Sequence, residues 1–328
     1  MKESILNFTK QFSYQPEIQN AEKISVVDGP LSEKYDNFIL AGMGGSHLAG
    51  GILHAHTPGV NLYIHRDYGI PAYDEHFNKK SLFIASSYSG NTEEVLDFAD
   101  EAYSKGYDLM IITTGGKLLD FAKENSLAYI QLPGDGIQPR LAIGYSTIAL
   151  ASIVNPVVIP ELQQLQNSLK PEEIEKDGLE MSENLFNKIP VIYTSNKNRA
   201  IAYNWKIKMN ETGKIPAFYN VFPELNHNEM QGYDFIDDNR ELSKNFHFIF
   251  IKDTDEHPRI SKRMDILEQQ FQEKGFQVTV LRLNGETRFE KIFKSLMLAD
   301  WTALGLSQKY QTEPEQVPLI EDFKKRIK

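Results

Sequence analysis

The chain has 328 residues, 41% of them hydrophobic, and a formal net charge of −10. This length is enough for two ordinary domains with full cores, and the acidic balance argues against a sequence-independent grip on nucleic acid. Cysteine is absent, which excludes disulfides and fits a reducing compartment. Residues 1–14 lack a secretory signal and no later run could cross a bilayer, so we expect a cytoplasmic protein without membrane or nucleic-acid partners.

Apolar runs in the first half alternate with helical stretches, after an N-terminal helical segment at 1–34. This alternation is typical of a parallel sheet with helices on both faces. The predicted strands are 37–41, 61–65, 82–86, 109–113 and 128–132. We therefore assign residues 35–155 to a first α/β domain.

The same theme restarts after a polar, leucine-spaced helical connector at 156–187. Predicted strands at 191–194, 246–252 and 278–283 alternate with predicted helices at 199–210, 260–274 and 289–304. Residues 188–308 form a second domain, and 309–328 hold a C-terminal helix with Pro318 in its first turn. The predicted fold class is α/β, with two flavodoxin-like, doubly wound parallel-sheet domains in tandem.

A hydroxyl-rich segment, Ser-Ser-Tyr-Ser-Gly-Asn-Thr-Glu-Glu at 86–94, lies where a predicted strand gives way to a helix. Hydroxyls donate to phosphate oxygens, Gly90 permits a tight turn, and free amides at a helix start favour an anion. This pattern favours a phosphate site. The alternative is a capped strand-to-helix turn that begins near Thr92 and binds nothing.

A similar junction, Gly-Met-Gly-Gly-Ser at 42–46, follows the first predicted strand. Its spacing matches neither the dinucleotide-binding fingerprint nor a P-loop, which disfavours a nicotinamide or ATP site. The alternative is a turn that needs glycine for its backbone alone. Because open parallel sheets bind ligands at the carboxyl ends of their strands, both turns are expected at one edge.

Glu211 ends the predicted helix that begins at residue 199, where the helix dipole disfavours a carboxylate. Ile201, Trp205 and Met209 share the buried side of this helix, while Asn204, Lys208 and Glu211 fall on a polar side. A carboxylate in this position suits a base that takes and returns a proton. The alternative is a surface glutamate paired with Lys208 one turn earlier.

His227 and Arg140 are two further candidates. His227 lies among amides and carboxylates in an aperiodic segment, 222–230, where it could act as an acid or base, or could be merely exposed. Arg140 follows Pro139 where a loop ends and a helix begins, and could stabilise an oxyanion or form an ordinary ion pair. Without a helical pair of histidines or a cysteine, no metal site is predicted.

Five segments together, in this order along nearly the whole chain, resemble the bifunctional phosphoglucose/phosphomannose isomerase family, which is built from two sugar-isomerase (SIS) domains. They are 42–46, 86–94, 139–145, 210–211 and 224–229. The resemblance implies two SIS-type domains, a sugar-phosphate substrate and neither metal nor redox cofactor. It also implies a phosphate site made by Gly45, Ser46, Ser87, Ser89 and Thr92.

By the same resemblance, Arg140 lies over the reacting carbons and Glu211 moves a proton between C1 and C2. His227 assists ring opening from across a homodimer interface, and Lys324 matches the C-terminal lysine of the family. The implied activity is interconversion of glucose 6-phosphate and fructose 6-phosphate, with mannose 6-phosphate as a candidate second substrate. A cis-enediolate mechanism requires these groups: an acid/base pair, a carboxylate and a cation.

Two positions depart from the family pattern. His47 stands where a small residue is common, and Val317 stands where bifunctional members carry a hydroxyl near the sugar C2, which makes mannose phosphate the less certain substrate. Three alternatives stay open: a non-catalytic sugar-phosphate-binding SIS regulator, an isomerase of an amino or otherwise modified sugar phosphate, and a lyase or deaminase.

Overall fold

The computed structural model describes residues 1–24 and 31–327 and divides into two compact units. The N-terminal unit is Asn7–Ser168, and the C-terminal unit is Leu169–Lys328 together with Met1–Leu6, which contains helix α1 (Lys2–Leu6). Residues 25–30 of the predicted N-terminal helical segment and Lys328 of the predicted C-terminal helix lie outside the described residues.

The N-terminal unit contains a six-stranded sheet in the order β1-β6-β5-β4-β2-β3. Its strands are β1 (Ile18–Gln19), β2 (Asn37–Ala41), β3 (Leu62–His65), β4 (Ser81–Ser87), β5 (Leu109–Thr113) and β6 (Ala128–Gln131). All neighbours pair in parallel except β1, which is antiparallel to β6. The five predicted strands are confirmed, whereas β1 was missed because two residues carry no periodicity.

Burial explains why the central strands of this sheet were predictable. Every residue of β2, β4 and β5 is buried, as expected for parallel strands covered on both faces, so each is a continuous apolar run. The helices of this unit are α2 (Leu48–His56), α3 (Glu75–Lys79), α4 (Glu93–Ser104), α5 (Gly116–Glu124), α6 (Ile143–Val154) and α7 (Ile159–Ser168).

The C-terminal unit contains a second, wholly parallel sheet in the order β10-β9-β7-β8. Its strands are β7 (Ile189–Ser195), β8 (Phe218–Phe222), β9 (Phe246–Lys252) and β10 (Gln277–Arg282). The three predicted strands are confirmed. The edge strand β8 was not predicted, because its exposed Phe218 and half-buried Asn220 break the apolar pattern.

The helices of the C-terminal unit are α8 (Pro171–Leu185), α9 (Arg199–Glu211), α10 (Pro258–Glu273), α11 (Arg288–Lys309) and α12 (Pro318–Arg326). Helices α8 and α11 pack so closely that a Cβ on Gly178 would lie 2.2 Å from the Cβ of Trp301. The C-terminal helix starts later than predicted, at Pro318, which occupies the first helical position. None of the helices in the described ranges is both long and apolar enough to span a bilayer.

Candidate active site

The two polar turns of the N-terminal unit lie at the same edge of the first sheet, as predicted. Strands β2 and β4 are direct neighbours, with Ala41 paired to Ala85 near their carboxyl ends. A 3-10 helix, Gly44–His47, follows β2, and the hydroxyl-rich turn follows β4 and leads into α4 with Thr92 at the N-cap. This edge is where parallel sheets bind ligands.

Hydrogen bonds join the hydroxyls of the two turns. The Ser46 hydroxyl accepts from the amide of Tyr88 at 3.0 Å, which links one turn to the other. The hydroxyls of Ser87 and Thr92 are 2.8 Å apart, and the amide of Gly90 donates to Ser87 Oγ at 3.1 Å. The result is a group of hydroxyl oxygens beside a helix N-terminus.

The backbone of the second turn requires glycine. Gly90 has a φ of +68°, and a Cβ there would lie 1.7 Å from the carbonyl oxygen of Gly115. Ser89, just before it, is exposed, and its hydroxyl accepts from the amide of Asn91 at 3.3 Å. Gly90 therefore fixes the turn, and Ser89 presents its hydroxyl at the surface.

Arg140 comes close to the first turn through its neighbour Pro139. A Cβ on Gly45 would lie 2.8 Å from the carbonyl carbon of Pro139, so only glycine allows this contact. The Arg140 side chain is buried at 2% exposure, and its Nη1 donates to Gln138 Oε1 at 3.5 Å. Arg140 lies in a 3-10 turn, Pro139–Leu141, and does not open α6 as the sequence suggested.

Gln11 holds this arginine segment in place and was missed by sequence reasoning. Its side chain is buried, donates to the carbonyl of Leu141 at 2.7 Å and accepts from the amide of Gly144 at 2.9 Å. Gln11 thus supplies a hydrogen-bond acceptor at the start of α6, where backbone amides have no partner within the helix. No local pattern could reveal it, because the contact spans 130 residues of sequence.

His47, the first departure from the family pattern, is buried beneath the glycine-rich turn. Burial, followed by the charge of Arg66, lowers the pKa of His47 from 6.5 to about 4. His47 is therefore neutral at physiological pH. It places a buried, uncharged ring at the end of the turn.

A neutral buried His47 predicts loss of stability in acid. His47 takes up a proton near pH 6.5 in the unfolded chain but only near pH 4 in the folded protein. The contribution of neutral His47 to the unfolding free energy is therefore full above pH 6.5 and is lost as the pH falls toward 4. Between about pH 7 and pH 5 we expect His47 to account for about 2 kcal/mol of the fall in unfolding free energy. Urea unfolding of wild type and His47→Asn measures this difference.

The exposed histidine His76 supplies the control, since His76→Asn should leave the pH dependence as in wild type. An equal pH slope in His47→Asn and wild type would contradict the assignment. The unfolding free energy of both variants, His47→Asn and His76→Asn, should still vary with pH, because burial also lowers the pKa of His54.

Glu211, in the C-terminal unit, is the last residue of α9 and is half-buried. Its carbonyl oxygen accepts from Lys214 Nζ at 2.6 Å, and the same ammonium donates to the carbonyl of Gln316. Lys214 thus joins the end of α9 to the residue before Val317. The structure brings Glu211 and the Val317 segment to one place in this unit.

The buried side of α9 is confirmed for Ile201, Trp205 and Met209, and two residues of the predicted polar side are buried as well. Asn204 and Lys208 are each 1% exposed. Lys208 Nζ donates to Asp300 Oδ1 of α11 at 2.6 Å, so this lysine forms a buried ion pair with a distant aspartate. Glu211 is itself half-buried, so the alternative in which it is an exposed surface glutamate is disfavoured.

His227 lies in the 3-10 helix Glu224–His227 that follows β8 and is exposed. Its ring makes no hydrogen bond to any side chain or backbone group in the described part of the chain. The segment is held by Glu229, whose carboxylate accepts from the hydroxyl of Tyr193 at 2.6 Å and from the amide of Asn220. Glu229 and Tyr193 were missed as positioning groups because their contact joins separate elements.

Lys324 lies on α12, is exposed, and its Nζ is 2.8 Å from Glu321 Oε1. The same helix exposes three large apolar side chains, Leu319, Ile320 and Phe323, and the residue that follows it, Ile327, is exposed as well. Within the C-terminal unit, the exposed His227 and Lys324 have no hydrogen bond or ion pair that joins them to Glu211 among the described side chains.

The carboxyl edge of the second sheet carries acidic side chains that are engaged within the protein. The Glu256 carboxylate accepts from the Ser195 hydroxyl at 2.5 Å and from Asn198 Nδ2 at 2.7 Å. Asp253, fully buried, pairs with Arg288 at 2.7 Å and with Lys291 at 3.0 Å. These two carboxylates are therefore engaged by neighbouring side chains of the C-terminal unit.

The charges around Asp253 compensate for its burial. Burial raises the pKa of this carboxyl, but the hydrogen bond from Lys291 and the charges of Arg288 and Lys291 hold it below its usual range. The cluster is a neutralised ion-pair network. Among the described residues, no group of three or more histidine, aspartate or glutamate side chains is arranged to bind a metal ion.

The fold and the edge geometry define the class of protein. Tagatose-6-phosphate ketose/aldose isomerase from Escherichia coli superposes with a TM-score of 0.67 and 18% identity, over 96% of this chain and 94% of that one. The chain therefore has the α/β fold of phosphosugar isomerases, with a hydroxyl-lined turn at the ligand-binding edge of its first sheet.

Sequence comparison then gives the family. The chain is 34% identical over 345 residues to a bifunctional phosphoglucose/phosphomannose isomerase of Caldicellulosiruptor bescii, covering 100% of this chain and 98% of that protein. It is 34% identical over 300 residues to the enzyme of the same name from Thermoplasma acidophilum, covering 89% and 90%. Residues 174–327 match the bacterial phospho-glucose isomerase C-terminal SIS domain. The chain belongs to the bifunctional phosphoglucose/phosphomannose isomerase family, as its motifs indicated.

Proposed function

We propose that this enzyme interconverts glucose 6-phosphate and fructose 6-phosphate by proton transfer through a cis-enediolate, with mannose 6-phosphate as a second substrate. The observation that carries the proposal is the convergence of the Ser46 and Ser87–Thr92 hydroxyls at the carboxyl edge of the first sheet, in a chain of this family. The proposal also holds that the enzyme is a soluble, cytoplasmic homodimer and needs neither a metal nor a redox cofactor.

The substrate phosphate binds at the paired turns. Five residues contact it: Gly45, Ser46, Ser87, Ser89 and Thr92. Several features support this: buried hydroxyls that already exchange hydrogen bonds, a glycine that lets the backbone approach, and the positive end of the twelve-residue helix α4. The first acidic residues of α4, Glu93 and Glu94, follow the N-cap and leave the turn itself uncharged.

The isomerisation needs a base, a cation and an acid/base group for ring opening. Glu211 removes the C2 proton of the open-chain aldose and returns it to C1, while the second proton moves between O1 and O2. Arg140 stabilises the enediolate oxygen, which its buried, permanently charged guanidinium suits. His227 accepts the anomeric O1 proton and protonates the ring oxygen as the ring opens.

His227 acts in the active site of a partner subunit in a homodimer. Two observations support this: its ring is exposed, and it makes no hydrogen bond within the described chain. The exposed apolar side chains of α12 form a patch of the kind that subunit contacts bury, and Lys324 lies on that helix. Dimerisation would then complete the active site as well as stabilise the fold.

The enzyme prefers glucose 6-phosphate over mannose 6-phosphate. Val317 follows Gln316, whose carbonyl accepts from the same Lys214 ammonium that binds the carbonyl of Glu211. Residue 317 is thereby tied to the end of α9, and valine offers no hydroxyl for the oxygen at C2. Since the two aldoses differ only at C2, this position favours one epimer.

The test is a substrate panel in deuterated water, with NMR detection of exchange at C2. We expect exchange and fructose 6-phosphate formation from glucose 6-phosphate, and slower turnover of mannose 6-phosphate. Binding without exchange for every sugar phosphate would instead identify a non-catalytic regulator. Faster exchange with an amino-sugar phosphate than with glucose 6-phosphate would move the function to a modified sugar.

A further inference from the structure

A cavity of about 350 Å³ opens at the amino edge of the second sheet, the edge opposite Asp253 and the turn that carries His227. Lys188 precedes β7, Phe246 begins β9 and Gln277 begins β10, so the cavity spans the starts of three adjacent parallel strands. Its volume falls within the range of about 300–1,000 Å³ typical of small-molecule sites. The function proposed above makes no use of it.

Four cations line this cavity: Lys188, Arg240, Lys244 and Lys274. Lys274 pairs with Asp234 at 2.6 Å and Lys244 pairs with Glu241, both as solvent-exposed ion pairs, which are weak and readily exchange partners. Among the side chains that the structure describes, no carboxylate lies within ion-pair distance of Lys188 or Arg240. In a chain with net charge −10, this is a local concentration of positive charge.

Aromatic rings form the other walls. The guanidinium of Arg240 lies 4.7 Å from the ring centroid of Phe235, and Lys274 Nζ lies 5.6 Å from it. Phe276 meets Phe235 edge-on at 5.4 Å and also packs on Phe248 of the core at 5.2 Å. The core ring of Phe248 therefore supports Phe276, which in turn contacts Phe235, and both Phe235 and Phe276 line the cavity.

The positive charge of Lys188 also acts on a residue of strand β9. His247, the second residue of β9, is buried, and burial together with the charge of Lys188 lowers its pKa. Arginine and lysine side chains bind phosphate oxygens, and aromatic faces stack on planar rings. The two aromatic rings in the walls favour a ligand with a flat ring over a simple sugar phosphate.

We propose that this cavity is a second ligand site, separate from the sugar-phosphate site, and that it binds a nucleotide-like anion whose phosphate contacts Lys188 and Arg240 and whose ring packs against Phe235 and Phe276. The ligand is an effector and takes no part in the isomerisation. Its binding is therefore measurable whether or not the proposed activity is correct.

The test is calorimetric titration of the full-length protein with adenosine 5′-monophosphate, ribose 5-phosphate, adenosine and inorganic phosphate. We expect the nucleotide to bind at least about tenfold more tightly than any of the three fragments, since both charge and ring contribute. Binding should weaken as salt is raised. Ribose 5-phosphate that binds as tightly as the nucleotide, and that loses this affinity when Lys188 and Arg240 are replaced, would overturn the ring assignment.

Matched variants locate the site. Lys188→Gln/Arg240→Gln should weaken nucleotide binding about tenfold or more, because it removes two charge-assisted contacts. Lys123→Gln/Lys176→Gln removes the same charge from exposed positions elsewhere and should bind as wild type does. Equal affinity in the two double variants, or no nucleotide binding by wild type, would refute the proposal. Thermal melts of both variants exclude misfolding as the cause.

Discussion

Replacing Glu211 by glutamine is expected to lower glucose 6-phosphate turnover about a hundredfold or more, the usual effect of removing a positioned base. Glutamine keeps the size of the side chain but cannot accept the C2 proton. Because the phosphate contacts belong to other residues, KM should change little. Coupled detection of fructose 6-phosphate measures the rate, and NMR exchange at C2 measures enolisation directly.

Glu273 provides the matched control for this experiment. It is likewise the last residue of its helix, α10, and its exposed carboxylate accepts from Gln269 Nε2 at 2.7 Å. Glu273→Gln should therefore retain wild-type turnover. If Glu211→Gln and Glu273→Gln were equally active, Glu211 would not be the base, and another carboxylate would have to be sought.

Replacing Lys208 by methionine is expected to cost about 3–5 kcal/mol of unfolding free energy, because it breaks a buried ion pair and removes the ammonium that pairs with the Asp300 carboxylate. Both side chains of the pair are almost fully buried, at 1% and 3% exposure. Adding Asp300→Leu to the same chain should recover most of the loss, since a buried pair replaced by apolar groups is often neutral or better. Denaturant unfolding of the single and double variants measures both effects.

The ion pair of Lys176 with Glu180 on α8 is the control, since its partners are 83% and 65% exposed. Lys176→Met should change stability by less than about 1 kcal/mol. A double variant no more stable than Lys208→Met alone would mean that the cost lies in packing or in other contacts of these side chains and not in the stranded charge. Lys208 also lies one helical turn before Glu211. Turnover by Lys208→Met should therefore fall, because α9 is less firmly packed on α11 when the ion pair is lost.

Much of the first sheet was predictable, because central parallel strands are buried on both faces and therefore read as continuous apolar runs. Strands β2, β4 and β5 are of this kind. Strand β8 was not predictable, since an edge strand has one free side and tolerates polar residues such as Asn220. The start of α12 was placed too early for a related reason: residues 313–317 are polar and proline-flanked, with no periodicity to mark where the helix begins.

The meeting of the two polar turns, at 42–46 and 86–94, was also predictable, because the carboxyl ends of parallel strands lie at one edge of a sheet. Their partners were not. The contact of Gly45 with Pro139 and the hydrogen bonds of Gln11 to the start of α6 join residues far apart in sequence. The same limit applies to Lys208, because helical periodicity places it on a polar side of α9 but does not identify the buried aspartate of α11 that pairs with it.

By itself, the sequence determined the tandem α/β organisation, the family, and the candidate residues Ser46, Ser87, Thr92, Arg140, Glu211 and His227, since each depends on local periodicity or on short motifs. Only the tertiary structure decided which hydrogen bonds join the hydroxyls at the first sheet and which ion pairs surround Asp253 at the second, and only it revealed the cationic cavity around Lys188. The physical reason is that backbone periodicity is written in neighbouring residues, whereas the partner of a buried charge or hydroxyl is supplied by whichever distant segment folds against it.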